Sequence, residues 1–242
     1  MDARRTYILR LADTALIWSH RLSEWCGHGP VLEEDIALAN HALDLLGQAR
    51  ALLSLVGDED ELAYLRDERA FVNVTLAELP RGDFAFTVLR NFLLSSWALS
   101  MWQRLAASND DALAGVAAKA VKEARYHREH AADWVVRLGD GTDESARRMQ
   151  AALERAWPYT HELFDADEVD RGAAESGLGP AWSTLREAWL ADVEAVLAEA
   201  TLPMPPKSAF RSDGKRGRHT EHMGHLLAEM QVLQRAYPGG VW

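Results

Sequence analysis

Four long stretches of three- and four-residue apolar spacing, joined by two short breaks and one long one, set the limits on how this chain can fold. The first runs from about Arg4 to Trp25, with Ile8, Leu11, Ala15, Trp18 and Leu22 on one stripe. Gly27-His28-Gly29-Pro30 stops it. The second runs from about Leu32 to Val56 on Leu38, Ala42, Leu45, Ala49 and Leu52, and Gly57-Asp58 ends it. The third begins after Asp83, a side chain suited to cap a helix, and reaches about Ala107. Ser108-Asn109-Asp110 is a turn with a cap, and the fourth helix runs from about Asp111 to Leu138, closed by Gly139-Asp140-Gly141. Between the second and third lies a short helix, Glu59 to Arg66, and a poorly periodic crossover through Phe71, Val74 and Leu76 to Pro80-Arg81-Gly82.

Two hairpins with a long crossover form the ferritin-like order, distinct from an up-and-down bundle with short loops. The expected fold is therefore an all-α, ferritin-like four-helix bundle in a single domain over residues 1–242. Its core bundle spans about 4–138, and additional C-terminal helices span about 143–237. Those helices are Asp143 to Phe164, Ala181 to Ala200 and Thr220 to Tyr237, with Pro203-Met204-Pro205-Pro206-Lys207 as a stiff connector. Ser212-Asp213-Gly214-Lys215-Arg216-Gly217-Arg218 is a basic, glycine-rich loop. No strand pattern or internal repeat is present.

Such bundles hold two irons when two helices each carry Glu-x-x-His, which places a carboxylate and an imidazole on one helix face. The corresponding tetrads here are Leu45-Leu46-Gly47-Gln48 and Ala124-Arg125-Tyr126-His127. The slots Leu45, Gln48 and Ala124 have lost their ligands, and only His127 keeps one. The partner helices should each add a carboxylate, and they offer Ala15-Leu16-Ile17-Trp18 and Leu94-Ser95-Ser96-Trp97. One imidazole cannot balance the charge of two irons. Neither a metal site nor a catalytic residue is therefore expected in this chain. The alternative is an autonomous ferritin-like metalloprotein with an unorthodox site on Glu123, His127 and His130. Glu123 can touch His127 but is rotated by roughly 100° from the ligand slot.

Other patterns carry less chemistry. His219, His222 and His225 stand at three-residue spacing, without the distant fourth ligand a zinc site needs, so they read as a polar helix start. Asp165-Ala166-Asp167-Glu168-Val169-Asp170 lacks the glycine and terminal glutamate of a calcium loop and reads as solvated surface. Cys26 with His28 nearby has no third group to orient a nucleophile. Eight tryptophans fall in helical patterns: Trp18, Trp25, Trp97, Trp102, Trp134, Trp157, Trp182 and Trp189. They read as core fillers or as cover for a subunit interface. The net charge of −11 argues against nucleic-acid partners and anionic membranes. A lone cysteine, with neither a signal peptide nor an apolar run long enough to span a bilayer, points to the cytoplasm.

At these residues the chain resembles a known family, the C subunits of bacterial ring-1,2-phenylacetyl-CoA epoxidase. That enzyme is a multicomponent monooxygenase of aerobic phenylacetate degradation. The stretches that carry the likeness are Arg21-Leu22-Ser23-Glu24-Trp25-Cys26-Gly27-His28, Asp35-Ile36-Ala37-Leu38-Ala39-Asn40 and Leu43-Asp44-Leu45-Leu46-Gly47-Gln48-Ala49-Arg50. Lys122-Glu123-Ala124-Arg125-Tyr126-His127, Glu162-Leu163-Phe164-Asp165-Ala166-Asp167-Glu168, Gly217-Arg218-His219-Thr220-Glu221-His222 and Leu227-Ala228-Glu229-Met230-Gln231 extend it over nearly the whole chain. The resemblance implies a degenerate, non-catalytic structural subunit that pairs with and supports a ferritin-like catalytic A subunit. The diiron cofactor is expected in that partner and no cofactor in this chain. A small B subunit and an iron–sulfur flavin reductase complete such systems. An exposed apolar patch on the first long helices is the expected contact with the A subunit.

Overall fold

Two of the helices are buried on every side along most of their length, polar side chains included. α1 (Ala3–Ser23) is buried without interruption from residue 6 to residue 19, and α4 (Phe84–Leu105) from 85 to 98. A helix buried all round belongs to the centre of a layered structure. α2 (Leu32–Leu53) and α5 (Asp111–Gly139) instead bury one stripe each. On α2 that stripe is Leu38, Ala42, Leu45, Ala49 and Leu52, as the spacing requires. The computed structural model describes residues 2–240. The chain is all-α and ferritin-like, with helices added after the fourth long one. Among the described residues the only strand-like pairing is an isolated bridge between Asp213 and Arg218.

The residues group into two compact units. The first comprises residues 1–80 and 212–242, and the second residues 81–211. In the first unit α1 pairs with α2 and touches α3 (Thr75–Glu78), a short helix in the crossover that the periodicity does not reveal. The short helix expected over Glu59 to Arg66 is a single wide turn, Glu61–Leu65, followed by a tight turn, Glu68–Ala70. α9 (Glu221–Ala236) packs on both turns. Gly217, before α9, sits at φ +75°, where a Cβ would overlap the Arg69 carbonyl oxygen. Gly217→Ala is expected to cost at least about 1–2 kcal/mol from the left-handed backbone alone. Urea unfolding checks this, and no change in midpoint would contradict it.

In the second unit α4 pairs with α5, and both meet α6 (Asp143–Ala156) and α8 (Arg186–Glu199). The Trp189 indole N–H ties α8 to α4 by donating to the Leu93 carbonyl at 2.9 Å. Two expected helices are shorter than the pattern suggests. Pro158 has no N–H to donate, so the chain leaves α6 at Ala156 and tightens into a three-residue-per-turn helix over Trp157–Leu163. A similar turn, Trp182–Leu185, precedes α8. The acidic run is not merely solvated. Asp167 caps α7 (Glu168–Glu175), its side chain accepting from the amides of Val169 and Asp170, while Asp170 reaches back to the Asp167 amide and is buried. Trp18, Trp25, Trp97, Trp102, Trp182 and Trp189 are buried, as core fillers would be, whereas Trp134 and Trp157 are half-buried.

Candidate functional site

The four tetrad positions, Leu45, Gln48, Ala124 and His127, are buried, each on the inner stripe of its helix. On α2 the Leu45 and Gln48 side chains share a face with His41, four residues before Leu45, and all three are buried. The Trp18 ring of α1 meets the His41 ring edge-on at 4.9 Å. Sequence reasoning passed over His41, whose signal was a polar side chain one helical turn from a ligand slot on an otherwise apolar stripe. Residues 15–18 of α1 are buried as well, and they are entirely apolar.

On α5, Ala124 and His127 are buried, flanked by Ala120 and Ala131. Glu123 and His130 lie half-buried on the flank. Glu123 pairs with Lys119 at 3.6 Å, and His130 stacks on the exposed Tyr126 ring at 6.0 Å. On α4, the buried Ser95 and Ser96 hydroxyls and the Trp97 indole N–H make no hydrogen bond among the described residues. These are neutral groups, and hydroxyls cannot supply the anionic oxygen that iron needs. The side chains at these positions therefore do not fit a diiron centre. Among the described residues, no three His, Cys, Asp or Glu side chains gather where they could hold a metal ion.

The chemistry buried in the first unit lies elsewhere, in two carboxylates that hold the crossover. Asp13, mid-way along α1, receives two N–H groups of the Arg66 guanidinium and the Val72 amide at 2.9 Å. Burial pushes the Asp13 carboxyl up, while the Arg66 charge and these hydrogen bonds pull it down. Glu78, on α3, receives the Asn73 side-chain amide at 2.9 Å, the Thr220 backbone amide at 2.6 Å and the His219 ring at 2.7 Å. The side chains of Glu78 and His219 are both 0% exposed. His219 thus buries its ring although the residue as a whole is half-buried, as is His222, while His225 is exposed on α9.

The surface carries a different feature. The outer face of α2 and the turn before it expose Val31, Leu32, Ile36 and Leu43, with Leu32 at 72% and Leu43 at 64%. Beside them is a mostly apolar groove of about 260 Å³ lined by Ser19, His20, Ser23, Cys26, Ala39, Ala42, Leu43 and Leu46. Burial holds the His20 imidazole below its ordinary value, with Glu24 opposing and Arg21 adding to the effect. The helix is presented this way because Asp35, in its first turn, accepts the Gly29 amide at 2.9 Å. No described helix is long and apolar enough to cross a membrane.

Comparison with known proteins places these features in a family. The whole chain, residues 1–242, matches the family described as Phenylacetic acid catabolic protein. It is also 51% identical over 248 residues, covering all of both chains, to a protein of Escherichia coli (strain K12) named as the C subunit of 1,2-phenylacetyl-CoA epoxidase. Matched along its whole length and all-helical, the chain belongs to the phenylacetic acid catabolic protein family.

Proposed function

We propose that the chain is a non-catalytic, cytoplasmic subunit of a 1,2-phenylacetyl-CoA epoxidase. It pairs with and supports the diiron catalytic subunit in aerobic phenylacetate degradation, and meets the small B subunit within the larger complex. The observation that carries this is the occupancy of the ligand positions by Leu45, Gln48 and Ala124 in a chain otherwise matched end to end to an epoxidase subunit. A bundle that keeps its core without the ligands retains its surface for another use. The apolar outer face of α2 supplies that surface, since exposed apolar patches of this kind mark protein contacts. Its occupant in this reading is the ferritin-like catalytic subunit. No catalytic role is assigned to any residue of this chain.

The test is co-expression with the diiron subunit from the same host. Iron is expected to elute with the complex and to be absent from this chain purified alone. Leu43→Glu and Ile36→Glu are expected to weaken the complex at least about tenfold by placing a charge in a dry interface, and to leave the fold of the isolated chain unchanged. Stoichiometric iron in the isolated chain, or full-strength assembly of both variants, would overturn the reading.

A further inference from the structure

His219 sits between acceptors. Its Nδ1 lies 2.7 Å from Glu78 Oε2 and its Nε2 lies 2.9 Å from the Phe71 carbonyl oxygen. A carbonyl oxygen only accepts, so Nε2 carries a hydrogen. The contact between Nδ1 and the carboxylate needs a second one, shared between imidazolium and carboxylate. A neutral imidazole beside an ionised Glu78 leaves two lone pairs facing each other at 0% exposure.

The charged groups around this pair come from every neighbouring element. Glu78 belongs to α3, Glu68 to the tight turn of the crossover, and Asp13 to α1, where it is held by Arg66. Arg21, also on α1, donates to the Glu78 carbonyl at 2.9 Å and to the His222 carbonyl at 3.1 Å. Burial acts against a charged His219, but the Glu78 hydrogen bond and charge, the Phe71 carbonyl and Glu68 outweigh it, holding the imidazole above its ordinary value.

The position of this proton gives it leverage. His219 is the last residue before Thr220, the N-cap of α9. The Thr220 amide donates to the other Glu78 oxygen, and the Gly214 amide of the preceding loop donates to Thr75 Oγ1. The far side of α9 is held separately, by Gln231 donating to the Ala63 and Arg66 carbonyls at 3.0 Å.

We propose that the proton held between His219 and Glu78 is a pH-sensitive clasp that fixes the start of α9 on the crossover, so that losing it loosens α9. On deprotonation the proton passes to solvent base, and Glu78 is left as a buried anion without its counter-charge. Because the folded value lies above the ordinary one, the stabilisation is complete below about pH 6.5 and is lost as pH rises through the folded value.

The experiment uses the full chain. Long-range nitrogen–proton NMR on the histidine rings, followed against pH, reads where the proton sits. His219 is expected to stay protonated above the ordinary imidazole value of about 6.5. Hydrogen exchange, corrected for its intrinsic pH dependence, is expected to show protection in residues 221–236 falling at least about tenfold on raising the pH, with α5 unchanged. His219→Gln is expected to lower that protection at neutral pH and to abolish its pH dependence. Titration of His219 at or below the ordinary imidazole value of about 6.5, or a pH dependence surviving in the variant, would overturn the proposal. Should the variant fail to fold, the two measurements on the unaltered chain still decide it.

Discussion

Replacing Glu78 with alanine is expected to lower the stability of the chain by about 3–5 kcal/mol, the cost of removing one partner from a buried ion pair. The carboxylate serves three donors at once: the His219 ring, the Asn73 side chain and the Thr220 amide. Alanine strands the His219 ring and the Thr220 amide, while the Asn73 side chain keeps the Val74 carbonyl, and each orphaned buried donor costs about 1–3 kcal/mol. Glu78→Gln should be milder, because its carbonyl still serves the Thr220 amide. Combining Glu78→Ala with His219→Leu should recover part of the loss, since the second change removes the stranded imidazolium. Urea unfolding of the unaltered chain, Glu78→Ala, His219→Leu and the double variant measures the coupling. A single-variant loss under about 1 kcal/mol would show that the pair does not hold the crossover.

Trp182→Ala is expected to cost a similar amount, about 3–5 kcal/mol, by a different route. Trp182 is the largest of the fully buried side chains, and its ring packs against Trp97 with centroids 4.9 Å apart. Truncation removes the transfer energy of an indole and leaves a hole that the helices around it cannot close. Trp182→Phe should keep much of the packing. Leu43→Ala, on the exposed face of α2, is the contrasting control and should change stability by no more than about 0.5 kcal/mol. The same unfolding measurement distinguishes them, and equal effects at Trp182 and Leu43 would contradict the packing described for the second unit.

What the sequence made legible was local. The stripe from Leu38 to Leu52 and the caps at Asp83 and Asp110 follow from spacing and side-chain reach within a few residues. The structure shows both caps accepting backbone amides, from Phe86 and Leu113. The burial of the tetrad positions Leu45, Gln48, Ala124 and His127 follows from the same short spacing. The all-round burial of α1 and α4 was not, because a period argument names one apolar face and is silent on whether the opposite face is covered. α7 was missed because capping by Asp167 and Asp170 looks, in sequence, like an excess of surface charge. The pairs Asp13–Arg66 and Glu78–His219 were out of reach, since their partners lie 53 and 141 residues apart and no spacing rule connects them. His219 therefore looked like one of three equivalent histidines until the fold separated it from His222 and His225.

The split composition of the first unit sets a timetable for its synthesis. Residues 1–80 leave the ribosome early, but the unit is completed only by residues 212–242. At about 5–20 residues per second, the 141 residues between Glu78 and His219 take on the order of ten seconds to appear. Throughout that interval α1, α2 and the crossover wait without the segment that supplies the counter-ion of Glu78 and the cover for Ala63 and Phe71. The second unit, being contiguous, can close in the meantime. A nascent chain of this protein thus passes through a stage with one finished half and one sticky one.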